Sequence, residues 1–102
     1  SVDIIKSGGY KLSALEIEST LLAHPQIAEV AVVGIADRTW GEAVAAVVAL
    51  KDDDDMTLEN LRGWCDGKLS SYKVPKQLRV VGALPRNAMG KVVKPSLKPL
   101  FE

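Results

Sequence analysis

Two nearly uninterrupted apolar runs, Ile27 to Ile35 and Ala43 to Leu50, dominate the hydrophobic pattern. Both are rich in valine and alanine, which predicts central strands buried on both faces. The shorter run Gln77 to Val81 predicts a third strand. Residues 1–12 alternate weakly around Gly8-Gly9, as two short extended pieces about a turn would. Ser13 and Glu16 form an S-x-x-E capping box, and Ala14, Ile17 and Leu21 supply an apolar stripe, so a helix is predicted over 14–23, ending before Pro25. A second helix is predicted over 57–69, capped by Thr57. Met56 and Leu61 are spaced as a hydrophobic staple, and Leu58, Leu61, Cys65 and Leu69 share one stripe. Pro95 can start a final helix but Pro99 interrupts it, leaving one ragged turn. The pattern as a whole predicts an α+β domain: a small, mainly three-stranded sheet flanked by helices, preceded by a two-stranded hairpin.

Between the two long runs lies the polar connection Asp37-Arg38-Thr39-Trp40-Gly41-Glu42, whose large aromatic is read mainly as packing, with a surface contact to another domain as the sharper alternative. Asp52 to Asp55 reads as a solvated acidic loop, because the spacing and terminal glutamate of a calcium-binding loop are absent.

Composition narrows the classes. With 102 residues, 47% hydrophobic and 25% charged, the chain is one globular domain and not a disordered tail. No apolar run reaches membrane-spanning length, no secretory signal pattern is present, and the start at Ser1 reads as a cut through a longer chain. One cysteine and one histidine rule out an internal disulfide and argue against a zinc site; no metal ligands are assigned. Cys65, on the apolar stripe of its helix, reads as core and not as a nucleophile.

The net charge is zero, but from Lys68 onward eight basic residues face one acid, Glu102. Such a third attracts anions. Without an aromatic stacking platform among those charges, small phosphates and carboxylates fit better than nucleic acid.

Two stretches carry candidate chemistry. Leu84-Pro85-Arg86-Asn87-Ala88-Met89-Gly90-Lys91 sets one lysine on a turn just after the last strand, with Pro85 and Gly90 shaping the loop. Taken alone, it reads as a hairpin with a solvated lysine. Gly8-Gly9-Tyr10-Lys11 brings a glycine turn and a lysine close to the start of the first helix, whose free N–H groups suit a phosphate or a pantetheine chain; the plain alternative is a tight turn. A nucleotide P-loop is excluded, because Pro85 stands where that motif needs glycine and Val92 where it needs Ser or Thr.

Together the two stretches resemble the adenylate-forming enzymes: acyl-CoA synthetases, nonribosomal-peptide adenylation domains and luciferases. The Pro85-x-x-x-x-Gly90-Lys91 segment resembles that family's last core motif. Asp3-Ile4-Ile5-Lys6-Ser7-Gly8-Gly9-Tyr10-Lys11-Leu12-Ser13-Ala14-Leu15-Glu16-Ile17-Glu18 resembles its hinge and thioester-forming motif, and Asp37, Gly41 and Glu42 match its Asp-x-x-x-Gly-Glu. The resemblance covers essentially the whole chain and implies the family's small C-terminal domain, with the N-terminal domain as its missing partner. It implies that Lys91 contacts the acyl-adenylate, that Gly8, Gly9, Tyr10 and Lys11 line the CoA or pantetheine path, and that the hinge falls at Val2 or Asp3, here placed at Asp3. Pro85, Arg86, Asn87, Gly90 and Glu16 support the motifs.

The implied substrates are ATP with Mg2+, held mainly by the missing domain, CoA, and a small carboxylate. Within the family the chain looks most like malonyl-CoA synthetases, which implies an intracellular location, cytoplasmic or mitochondrial. Two other readings stay open, a fragment that loads a carrier protein and a binding module without chemistry. The resemblance also implies that the domain alone is inactive.

Overall fold

A computed structural model describes residues 3–102. Val2, the other candidate for the hinge, lies outside the described residues. The elements in chain order are β1 (Ile4–Ser7), β2 (Tyr10–Ser13), helix α1 (Ala14–Leu22), β3 (Ile27–Asp37), β4 (Gly41–Leu50), helix α2 (Leu58–Cys65), a short 3-10 turn (Ser71–Lys73), β5 (Gln77–Val81) and a C-terminal 3-10 segment (Lys94–Phe101).

The five strands form one sheet, in which β4 is central. β3 pairs with it antiparallel over its whole length, from Ile27 opposite Leu50 to Asp37 opposite Gly41. On the other side, β5 pairs with β4 in parallel from Ala45–Gln77 to Ala49–Val81. The β1–β2 hairpin joins at the start of β4 through Ser7 opposite Gly41. The hairpin is therefore an extension of the sheet and not a separate piece.

Alternation along β4 explains why the sequence shows no alternation. Val44, Ala46 and Val48 face a core formed with Ile5, Leu12, Ile17, Leu21, Leu61 and Cys65 under the two helices. Ala45 and Val47 face the opposite way, against Val33, Ile35, Leu84 and Leu97. Both faces are covered, so both sets of positions are apolar. The second cover comes from the C-terminal segment, whose Leu97 is fully buried. The ragged turn expected from the prolines is thus a structural layer: Pro95 and Pro99 break the α pattern, yet 3-10 turns carry the chain far enough to seat Leu97.

Local chemistry accounts for the helix ends. Ser13 Oγ accepts from the Glu16 N–H at 3.2 Å, one half of the expected capping box. The other half is absent, because the Glu16 carboxylate instead takes the Lys73 ammonium at 2.9 Å. Thr57 Oγ1 caps α2 through the Asn60 N–H at 3.1 Å, and both staple residues, Met56 and Leu61, are buried. α2 stops at Cys65, short of the expected residue 69. Gly67 turns to φ +80°, and the Cys65 carbonyl accepts from the Lys68 and Leu69 N–H groups in place of a further helical turn. Cys65 is fully buried, as its stripe predicted, and burial pushes its thiol pKa up.

Candidate functional site

The Lys91 loop is built by Asn87. Its Oδ1 accepts from the N–H groups of Met89 and Lys91, both at 3.0 Å, while its own N–H donates to the Lys91 carbonyl at 2.9 Å. Gly90 closes the turn at φ +81°, and its N–H donates to the Asn87 carbonyl. Arg86 braces the same turn, donating to the Gly90 carbonyl at 2.8 Å and to Glu29 Oε2 on β3 at 2.6 Å. An isolated bridge between Arg86 and Val92 joins the two legs, and Leu84 plugs the first leg into the core. The loop is shaped without using the Lys91 side chain at all.

That side chain is the conspicuous one. Of the eight cations in the last third, six have partners: Lys68 the Trp64 carbonyl, Lys73 Glu16, Lys76 the Trp40 ring, Arg79 the Leu100 carbonyl, Arg86 Glu29, and Lys94 Asp3 and Glu18. Lys91 and Lys98 are exposed and find no hydrogen-bond or ionic partner among the described residues. Only Lys91 stands on a loop locked by its own hydrogen bonds. A compact ammonium on a long stem, held out from a fixed backbone, can reach an anion brought from outside.

The second candidate stretch forms the tip of the β1–β2 hairpin. Gly8 (φ +58°) and Gly9 (φ +85°) are the two residues between Ser7 and Tyr10, so a two-residue turn with positive φ at both positions accounts for both glycines. Their surroundings differ. A Cβ on Gly8 would lie 2.8 Å from Cε3 of Trp40, whereas one on Gly9 would meet nothing within 4 Å. Gly9 therefore borders open space.

The expectation that helix N–H groups would be available beside this turn is not met in full. The Ala14 N–H goes to the Asp3 carbonyl and the Glu16 N–H to Ser13.

What sequence reading missed is the company this tip keeps. Tyr10 stacks on Tyr72 with ring centroids 4.4 Å apart, and Lys76 sits 4.7 Å above the Trp40 ring. Ser7, Tyr10, Trp40, Arg62, Tyr72 and Lys76 surround a hollow of about 260 Å³. Trp40, 45% exposed, packs on Gly8 and carries Lys76 over its ring. Aromatic rings and cations gathered about one hollow suit a flat, negatively charged ligand. The only hint in the sequence was an aromatic in a polar connection.

A larger groove of about 440 Å³ runs beside the Lys91 loop, lined among others by Leu15, Leu22, Val30, Leu84, Arg86 and Val92. It shares no lining residue with the hairpin hollow. The legs of the Lys91 loop border the groove through Arg86 and Val92, and the hairpin tip borders the hollow through Ser7 and Tyr10. Asp3, the expected hinge residue, lies before β1 and pairs with Lys94 at 2.7 Å. Among the described residues no three His, Cys, Asp or Glu side chains converge on a metal site, and no helix is long and apolar enough to cross a membrane.

Comparison with known proteins fits this arrangement. The mitochondrial malonate-CoA ligase ACSF3 of Mus musculus is 56% identical over 97 residues, 95% of this chain and 17% of that protein. The malonate-CoA ligase of Arabidopsis thaliana is 53% identical over 112 residues, covering all of this chain and 18% of the relative. Apo MatB from Rhodopseudomonas palustris superposes with a TM-score of 0.90 at 36% identity, over 97% of this chain and 20% of that one. The chain thus spans about a fifth of the relatives it matches. The sequence profile of the AMP-binding enzyme C-terminal domain matches residues 16–91, and the chain belongs to that family.

Proposed function

We propose that this domain is the mobile C-terminal lid of an ATP-dependent, AMP-forming acyl-CoA ligase, with Lys91 as the adenylation lysine and malonate as the carboxylate. The observation that carries the reading is the exposed Lys91 ammonium, unpartnered among the described residues, on a loop fixed by Asn87 and Arg86. The malonate-CoA ligase relatives support the substrate.

In the first half-reaction a carboxylate oxygen attacks the α-phosphorus of ATP, the bond to the β-phosphate oxygen breaks, and pyrophosphate leaves. Negative charge gathers on the α-phosphoryl oxygens, where a preorganised cation lowers the barrier by about 3–4 kcal/mol. In the second, a thiolate attacks the acyl carbonyl and AMP leaves, which needs no cation at the first position. The Lys91 loop borders one hollow and the hairpin tip another, which supports one domain serving each step in a different orientation, with Asp3 as the hinge. Gly9 borders room for the pantetheine arm. Trp40, Tyr10, Tyr72, Lys76, Arg62 and Lys11 would hold the adenine and phosphates of CoA. A carrier protein brings no adenine, so this aromatic and cationic face favours free CoA.

Among the described residues no three acidic, His or Cys side chains converge to hold a magnesium ion, and no step here runs through Mg2+. The phosphate loop and acyl pocket are assigned to the N-terminal domain of the longer protein. Incubating that protein with ATP, CoA and a series of acetate, malonate, methylmalonate and succinate tests the reading. The expected outcome is AMP, pyrophosphate and malonyl-CoA, with the highest kcat/KM for malonate, and no product from the 102-residue domain alone. ADP as product would overturn the reaction class, and preference for another acid would overturn malonate.

A further inference from the structure

The second leg of the Lys91 loop is held by an ion cluster centred on Lys94, a residue outside both motif stretches. Lys94 begins the C-terminal segment three residues after Lys91. Its ammonium lies 2.7 Å from Asp3 Oδ1 and 2.8 Å from Glu18 Oε2, with the lysine side chain only 12% exposed. Glu18 is itself fixed, because the same Oε2 accepts from the Val32 N–H at 2.8 Å on edge strand β3. Burial alone would lower the Lys94 pKa, but the hydrogen bonds to Asp3 and Glu18 outweigh it and the net shift is upward, so the group stays charged.

The ion clamp on the first leg, beside the buried Leu84, lies at the surface by comparison. Arg86 and Glu29 are 47% and 30% exposed, whereas Lys94 and Glu18 are 12% and 18% exposed, with Asp3 at 39% on the outer side of the cluster. Exposed pairs contribute little, while removing one member of a sequestered pair strands the other charge. Of the two ion clamps on the legs of the Lys91 loop, the one at Lys94 is therefore the stronger.

We infer that Lys94 is a positioning residue for adenylation, anchoring the Lys91 loop at once to α1 through Glu18 and to the hinge residue Asp3. This rests on the reading of Lys91 as the adenylation lysine. A lysine tip displaced by about 1 Å can cost about 100-fold in rate, so Lys94→Met in the full-length protein is expected to slow pyrophosphate exchange about 10- to 100-fold. Lys94→Arg, which keeps the charge and can reach both carboxylates, is expected to restore most of it. A residue that merely supports folding would give the same loss with or without Lys91.

The deciding experiment is a double-mutant cycle on pyrophosphate exchange with Lys91→Ala. In that background Lys94→Met should cost less than about threefold more, because there is no ammonium left to misplace. The same factor in both backgrounds, or no loss from Lys94→Met in the wild-type background, overturns the anchor. If Lys91→Ala itself leaves exchange intact, the lysine reading falls and the anchor with it. Should Lys94→Met not fold, Glu18→Gln is read through the same cycle, since it keeps an acceptor for Val32 and loses the charge facing Lys94.

Discussion

Replacing Asn87 by alanine separates the shape of the Lys91 loop from the charge it carries. The Asn87 side chain accepts two backbone N–H groups, those of Met89 and Lys91, and the loop is exposed to solvent. Each such bond nets about 0.5–1.5 kcal/mol, and water recovers part of it when the acceptor is removed. The closed turn should then lose about 1–2 kcal/mol relative to open forms of the loop. At 1.36 kcal/mol per decade, adenylation is expected to fall about 5- to 30-fold, less than the 100- to 1000-fold of deleting a charge-stabilising group outright.

Pyrophosphate exchange by the full-length protein gives the rate, and amide hydrogen exchange at Met89 and Lys91 gives the loop order. Both should change by similar factors while Tm stays nearly constant, since none of these atoms is in the core. Asn87→Asp keeps the acceptor and should retain amide protection. It also adds a carboxylate near Lys91, so it is read by hydrogen exchange and not by rate. Unchanged protection and rate in Asn87→Ala would refute the idea that this side chain orders the loop; a large fall in Tm would show that it supports the fold instead.

The two hairpin glycines should answer differently to alanine. Both substitutions place an L-residue at positive φ, costing about 1–2 kcal/mol, but only Gly8→Ala also drives a Cβ to 2.8 Å from Trp40. Gly8→Ala should therefore lower Tm further and shift tryptophan emission; equal changes in both variants would contradict the packing of Trp40 on Gly8. His24 should give stability a pH dependence. Its pKa is lowered, first by burial and then by Lys68, and its Nδ1 accepts from the Gln26 N–H at 3.1 Å. The unfolded chain takes up the proton first, so stability should decline as pH falls below about 6.5 and level off once the folded form is protonated too. His24→Asn should flatten the slope between pH 7.5 and 5.5 in melting experiments, and an unchanged slope would assign it to other groups.

Much of the fold was legible because it is local. The capped start of α1, the doubly buried β3 and β4, and the bounds Gln77–Val81 of β5 follow from periodicity and capping residues that lie side by side in the chain. What was not legible depends on pairings across the chain. Glu16 has its capping partner three residues away, yet its carboxylate goes to Lys73, fifty-seven residues on. Leu97 lies among prolines that argue against a helix, and only the uncovered second face of the sheet explains its burial. Trp40 reads as a packing residue until Gly8 and Lys76 are brought against its ring. Of the candidate site, the Lys91 loop was readable as a shaped turn from Pro85, Asn87 and Gly90. The anchoring of its legs by Glu29, Glu18 and Asp3 was not, because those residues lie on elements formed much earlier in the chain.

The central claim is that one domain serves two half-reactions through separate surfaces, with Lys91 needed in the first only. Lys91→Ala in the full-length protein tests it when each half is measured separately: pyrophosphate exchange for adenylation, and acyl-CoA release from preformed acyl-adenylate for thioester formation. Exchange is expected to fall about 100- to 1000-fold, the scale for losing one preorganised charge-stabilising group, while thioester formation stays close to wild type. Equal loss in both halves, or exchange that survives the substitution, would contradict the account.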